Sequence, residues 1–196
     1  MIEFRKQLRK DRSLAMIEGI LAAAAGLCSV RGLDALTTSA VAVRAGVSIG
    51  SIYQRFPDKT ALLAALIRAE RASLLESVER IVCSDAACSL TRLVDELVDA
   101  ALAHYLERPS LSRRLNLART QIPPDPAADE FSARITVLIA ARLEELEIPQ
   151  PETTARDLLA ILCGMIDAAT EAQEADRSAL THRTRRAVLG YLRAAA

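Results

Sequence analysis

The 196-residue sequence predicts an all-α chain, with a three-helix head at its N-terminal end and a larger helical body after it. Three observations lead there. Hydrophobic residues make up 51% of the chain and are dominated by Ala and Leu, while Trp is absent, a composition that favours helices over sheets. Apolar residues recur at three- and four-residue steps in one segment after another, the spacing of a helix face. Most of the breaks between these segments fall on Gly or Pro. No alternating strand pattern, low-complexity run or internal repeat is present.

The first helix is expected over about Arg12 to Arg31, from the stripe Leu14, Ile17, Ile20, Leu21, Ala24, Leu27 and Cys28. Gly32 stands where a helix-ending glycine belongs. Thr37 and Thr38 offer capping hydroxyls for a short helix, Ser39 to Ala45, and Gly46 supplies a tight turn. Ser48 caps a second short helix, Ile49 to Phe56. Pro57 and Asp58 end it and open the next, because Pro suits a helix entry and Asp its positive end. The stripe from Leu62 to Val82 then implies a helix of about 25 residues. Further helices are expected from Leu90 to Leu106, over roughly Ser110 to Gln121, around Phe131 to Leu146, and over Glu152 to Ala172 and Ser178 to Arg193. Ile122-Pro-Pro-Asp-Pro126 is the clearest break. The boundary of the head is drawn at residue 60, giving domains 1–60 and 61–196.

Charge and cysteine usage bound the function. Net charge is zero, but residues 1–60 carry nine basic against five acidic residues, so a basic end precedes an acidic body. That asymmetry suggests a polyanion partner for one part of the chain. The charged first twelve residues do not suit a signal peptide. The longest apolar stretch, Gly19 to Val30, is shorter than a membrane span and amphipathic. A cytoplasmic location without membrane contact is expected. Cys28, Cys83, Cys88 and Cys163 form no CxxC pair and are read as structural thiols.

Two short helices joined by a glycine turn match a helix-turn-helix, with Val41, Val47 and Ile52 as its small core. Ser48, Ser51, Tyr53, Gln54, Arg55 and Lys59 cluster on or beside the second helix. These are the residue types a duplex needs: hydroxyls and cations for phosphates, and a few side chains for base edges. A solvated three-helix cap would share the same spacing.

The stretch from Thr38 to Leu63 resembles the tetracycline-repressor (TetR/AcrR) family, most specifically in Ala45-Gly-Val-Ser48 followed by Tyr53, Phe56 and Lys59. The preceding run Ile20-Leu-Ala-Ala-Ala-Ala25 and Arg31-Gly32 fit it too. The resemblance covers a quarter to a third of the chain. It implies a ligand-responsive regulator of transcription, most often a repressor: an all-α homodimer whose heads occupy successive major grooves of a palindromic operator, with a body that binds a small effector. Carried over position by position, it implies that Thr38 and Ser39 touch backbone or a base edge, and that Ile49, Gly50 and Ser51 face the bases. It further implies phosphate contacts from Tyr53, Arg55 and Lys59. Ile49 departs from the polar residue many relatives carry, so any reading there is apolar, as against a thymine methyl. Specificity then leans on Ser51, Gln54 and DNA shape. Arg5, Lys6, Arg9, Lys10 and Arg12 form a basic arm that would add salt-dependent affinity, or simply a solubilising tail.

In the body, His104, Tyr105, Asn116, Arg119 and Thr120, with Gln121, place polar groups near a helix junction that the resemblance makes a pocket wall. Asp167 and Thr170 interrupt the apolar face of the penultimate helix, alongside Cys163 and Met165, and Cys163 and Asp167 join the preceding group as candidate effector contacts. Small and aliphatic residues of the last two helices (Ala160, Leu162, Ile166, Ala169, Val188, Leu192) suit a four-helix dimer seam.

Enzyme readings find little support. Gly46-Val-Ser-Ile-Gly50 fits GxSxG, but a nucleophile elbow needs a strand before its Ser, and only His104 and His182 are available as a base. No Walker, Rossmann, HExxH or zinc-type pattern is present, so no cofactor or metal is expected. A helical small-molecule-binding dimer that has lost operator binding is the alternative, with Ile49 in its favour, and an unrecognised helical enzyme is a third reading.

Overall fold

The computed structural model describes residues 2–84, 89–107, 111, 114–115, 118 and 122–195. The side chains of residues 2–10 and 106–107 and of Ala195 are outside this description. Among the described residues the regular structure is helical, with no strand. The helices are α1 (Ile2–Arg31), α2 (Thr38–Ala45), α3 (Ile49–Tyr53), α4 (Lys59–Val82), α5 (Leu90–Glu107), α6 (Pro126–Glu145), α7 (Pro151–Glu171) and α8 (Arg177–Ala195), with a single 3-10 turn at Leu33–Ala35. The helix expected over Ser110 to Gln121 lies mostly outside the described residues.

Two compact units divide the chain: Met1–Ala69 with Ser110–Pro124, and Glu70–Pro109 with Asp125–Ala196. In the first, α1 packs on α2 and α2 on α3. Ile20, Ala24, Cys28, Leu36, Val41, Ile52 and Leu62 are fully buried there, and Leu111 joins them from the distant segment. Arg114 of that segment donates to the carbonyl oxygens of Cys28 and, at 3.0 Å, Ser29 in the last turn of α1, where the Cys28 carbonyl also accepts from the Gly32 amide at 3.1 Å.

Two expectations about this unit change. Helix α1 starts at Ile2 rather than near Arg12, so the basic arm is a helical extension. Helix α3 ends at Tyr53 instead of Phe56. Pro57 disfavours α conformation at Phe56, and the chain tightens so that the Arg55 and Phe56 amides share the Ile52 carbonyl at 3.0 and 2.8 Å. By length and composition Asp11–Arg31 reaches the threshold of a membrane span, which the narrower stretch Gly19–Val30 did not suggest. Its face at Ile20, Ala23, Ala24, Leu27 and Cys28 is instead taken up by the core of the unit.

In the second unit, α5 to α8 and the later part of α4 enclose one core around Leu93, Val98, Leu102, Ile139, Leu143, Leu158 and Val188. Ion pairs tie its helices together. Arg185 of α8 reaches Asp95 and Asp99 of α5 at 3.2 and 2.7 Å, and Arg134 of α6 reaches Glu79 of α4 at 2.7 Å. Helices α6 and α7 are closed by left-handed residues at Glu147 and Gln173, with φ of 59° and 53°, where no glycine stands. Five residues expected at a dimer seam, Leu162, Ile166, Ala169, Val188 and Leu192, lie in this core. Their helical stripe is consumed within the protomer, and of the six only Ala160 is exposed.

Replacing Ile52 with Ala removes a buried side chain from the centre of the small unit, and we expect a loss of about 3 kcal/mol in denaturant unfolding monitored by circular dichroism. Arg183 forks onto Glu174 with two hydrogen bonds of 2.7 and 2.6 Å, and these bonds hold the Glu174 carboxyl below its ordinary range. A lowered carboxyl contributes stability above the unfolded value, near 4.3 for Glu, and loses it as pH falls through the folded value. The melting-temperature gap between the wild type and Arg183→Ala is therefore expected to close as pH drops below about 4.3; a gap independent of pH would count against this pin.

Candidate nucleic-acid interface

The exposed surface of the first unit is organised by four local signals. Thr37 caps α2, its hydroxyl oxygen accepting from the Ala40 amide at 3.1 Å. Gly46 ends α2 in the left-handed region, with φ of 67°, and the Val47 amide bonds back to the Ala42 carbonyl at 3.1 Å. That six-to-one closure turns the chain sharply at no steric cost because glycine lacks a Cβ. Ser48 then caps α3 by accepting from the Ser51 amide at 3.1 Å, and the Ser48 and Ser51 hydroxyls bond each other at 2.8 Å. Asp58 opens α4, accepting from the Ala61 amide at 2.7 Å.

This scaffold buries Val41 and Ile52 and turns the other side of α3 outward. Val47, expected in the core, is half-buried. Ile49 and Tyr53 are 46% and 52% exposed, large values for such side chains. Ser39, Ser48, Gly50, Gln54, Arg55 and Lys59 are exposed, while Thr38 and Ser51 are half-buried. The ten residues singled out for DNA contact thus lie on α2, at the cap of α3, on α3, in the turn after it and at the first residue of α4. Thr38 donates to the Tyr53 hydroxyl oxygen at 3.1 Å, a link between α2 and α3 that the sequence does not announce. The Tyr53 hydroxyl keeps its own proton for a further acceptor such as a phosphate oxygen.

One cation escaped the sequence reading. Arg44 lies over α1 at Gly26, where a Cβ would sit 2.8 Å from its guanidinium, so the glycine makes room for it. Arg44 helps line an open groove of about 570 Å³ between α1 and α2, with Leu27, Val30 and Val43. Nothing at Gly26 in the sequence marks it as a site of close approach by a residue 18 positions away.

The expected effector contacts are brought together in part. His104 Nε2 lies 3.8 Å from a Glu70 carboxylate oxygen, and its ring meets Tyr105 edge-on with centroids 5.3 Å apart. The Tyr105 hydroxyl lies 3.9 Å from Cys163 Sγ. Asp167 is half-buried one turn beyond Cys163. Asn116, Arg119 and Thr120 lie outside the described residues. Glu70 was missed, since nothing in sequence relates it to His104.

Ser48 stands in a turn between two helices rather than after a strand, so the GxSxG match has no elbow to serve. Among the thiols, Cys28 is buried, Cys163 half-buried and Cys83 exposed, the last a correction to the structural reading. It sits in the turn just past α4, off the apolar face. Cys88 is outside the described residues.

A family model described as bacterial regulatory proteins, tetR family, matches residues 20–66, and one described as Tetracyclin repressor-like, C-terminal domain, matches residues 89–192, more than half of the chain. The chain belongs to the TetR family. Matches to known proteins agree with that membership. Uncharacterised HTH-type transcriptional regulators of Mycobacterium bovis and Mycobacterium tuberculosis are 28% identical to this TetR-family chain over 125 residues, 60% of its length. The chain spans 64% of the length of these curated relatives. In fold it is similar to a structure assigned to the TetR family from Mesorhizobium loti, with a TM-score of 0.76 at 17% identity, covering 93% of this chain and 98% of that one. It is also similar to the fatty acid degradation regulator FadR of Bacillus halodurans, with a TM-score of 0.72 at 16% identity, covering 88% and 97%. The family is one of regulatory proteins, not enzymes.

Burial raises the Cys28 thiol above its ordinary value, against the opposing fields of Arg114 and Lys59. Since the thiolate is the nucleophile, alkylation mapped by mass spectrometry at neutral pH is expected to modify Cys83 at least tenfold faster than Cys28, an order-of-magnitude expectation from thiolate fraction and access. Equal rates would show that the last turn of α1 opens readily.

Proposed function

We propose that this TetR-family chain is a DNA-binding transcriptional regulator that acts as a homodimer on a palindromic operator and is released by a small effector. The observation that carries the reading is the outward face of α3 and its flanks. There, exposed Tyr53, Arg55 and Lys59 surround a capped short helix inside a family-matched head. Arg55 and Lys59 have no ion-pair or hydrogen-bond partner among the described residues, so their charge is available to phosphates. Residues 1–60 carry the DNA contacts in this proposal, and residues 61–196 the effector site and the dimer contact. Repression, by occupying the operator, is the proposed outcome of binding.

Dimerisation through the last two helices needs a face that the protomer's own core leaves open. Ala160, Gly164 and Ala168 on α7 and Arg186 and Gly190 on α8 lie on such faces. Small residues let helices of two protomers approach closely. The His104, Tyr105, Cys163 and Asp167 group supports the effector site, because polar groups in an apolar surround fix a ligand's orientation.

Lys59→Ala is expected to lower the slope of log affinity against log salt by about one, the signature of one lost phosphate contact. Tyr53→Phe removes the hydroxyl alone and is expected to weaken binding roughly fivefold, the worth of about one hydrogen bond. If the wild type binds no duplex, the alternative of a small-molecule-binding dimer without operator binding takes the place of this reading. Gly164→Glu tests the dimer: Gly164 is exposed and a Cβ there meets nothing within 4 Å in the protomer, so the substitution meets no clash at its Cβ and unchanged circular dichroism is expected. Its sedimentation is expected to shift toward monomer, and an unchanged dimer would place the contact elsewhere.

A further inference from the structure

The base-facing edge of the head has an unusual chemical content. Ile49 is 46% exposed and presents only carbon. Gly50 beside it is bare, and a Cβ there would meet only the Ser48 hydroxyl, at 3.8 Å. Packing within the protein therefore does not demand glycine, and the bare backbone leaves room for another molecule against Ile49. The hydroxyl of Ser51 is engaged with that of Ser48 at 2.8 Å, and the Ser48 oxygen also accepts from the Ser51 amide. The hydroxyl of Tyr53 is tied to Thr38. Around Ile49 the Ser48 and Ser51 hydroxyls are thus engaged in holding α3, and the surface that Ile49 itself presents is an aliphatic knob beside a notch.

In the major groove the only apolar group on a base edge is the methyl on C5 of a pyrimidine. Thymine carries it by nature, and cytosine carries it when methylated at C5. The two bases differ at position 4, where thymine accepts a hydrogen bond and cytosine donates one. An isoleucine neither donates nor accepts, so it senses the methyl and ignores position 4. We propose that Ile49 reads the C5-methyl group itself, so that the head accepts thymine or 5-methylcytosine at one position of each half-site and discriminates against unmethylated cytosine. Operator binding then responds to cytosine methylation wherever a half-site carries C instead of T at that position. The inference rests on the DNA-binding reading above.

The test uses the full chain. A duplex is first enriched from a random library by binding to the wild type, and each thymine is then replaced in turn by deoxyuridine, which removes one methyl and nothing else. At one symmetric position the replacement is expected to weaken binding about fourfold per half-site, the worth of one buried methyl-sized group. Cytosine at that position weakens it at least as much, and 5-methylcytosine restores most of the cytosine loss. Ile49→Ala, a change at an exposed position, binds the thymine and deoxyuridine duplexes within about 1.5-fold of each other, since the methyl then has little to pack against. Tolerance of deoxyuridine at every thymine, or a preference for thymine undiminished in Ile49→Ala, overturns the proposal while leaving DNA binding intact. Failure to enrich any duplex overturns the DNA-binding reading and this inference with it.

Discussion

The burial of Val41 and Ile52 on either side of the α2–α3 turn is the constraint on which the rest of the head depends. Helix α3 has five residues, too few to be stable alone, since nucleation costs more than one turn of hydrogen bonds returns. It exists because Ser48 caps it, because Gly46 lets the chain reverse, and because Ile52 is fully buried against its neighbours. With one side of so short a helix fixed in the core, the directions of Ile49, Gly50 and Tyr53 follow. The exposed surface is a consequence of the buried one.

The same economy bears on the proposed contact with DNA. Hydroxyls that would serve as base readers, those of Ser48 and Ser51, are employed in capping, and Thr38 is linked to Tyr53. The cations Arg55 and Lys59 remain exposed for phosphates, which position a protein without specifying a sequence. In the proposed complex, readout at Ile49 is left to shape and to carbon.

The second unit is held differently. Its core is long helices packed through continuous aliphatic stripes, and ion pairs at the surface join α8 to α5 and α6 to α4. Because Leu162, Ile166, Val188 and Leu192 are spent on that core, the proposed contact of these two helices with a second copy would use their opposite faces, where Ala160, Gly164, Ala168 and Gly190 are exposed. A helix face can be used once.

Sequence alone determined the helical class, the order of the elements and the head's turn chemistry. Those depend on local signals: 3.6-residue periodicity, capping hydroxyls at Thr37 and Ser48, and glycines at Gly32 and Gly46, both at positive φ. The ten candidate DNA-contact residues were legible for the same reason, since they fall within one stretch of 22 positions from Thr38 to Lys59. Tertiary structure decided what depends on distant partners. The left-handed helix ends at Glu147 and Gln173 carry no glycine to announce them. The approach of Arg44 to Gly26, of Glu70 to His104 and of Arg114 to the end of α1 joins residues far apart in the chain. Which of two stripes on α7 and α8 enters the core was likewise settled only by packing, because periodicity shows that a face is apolar and not what covers it.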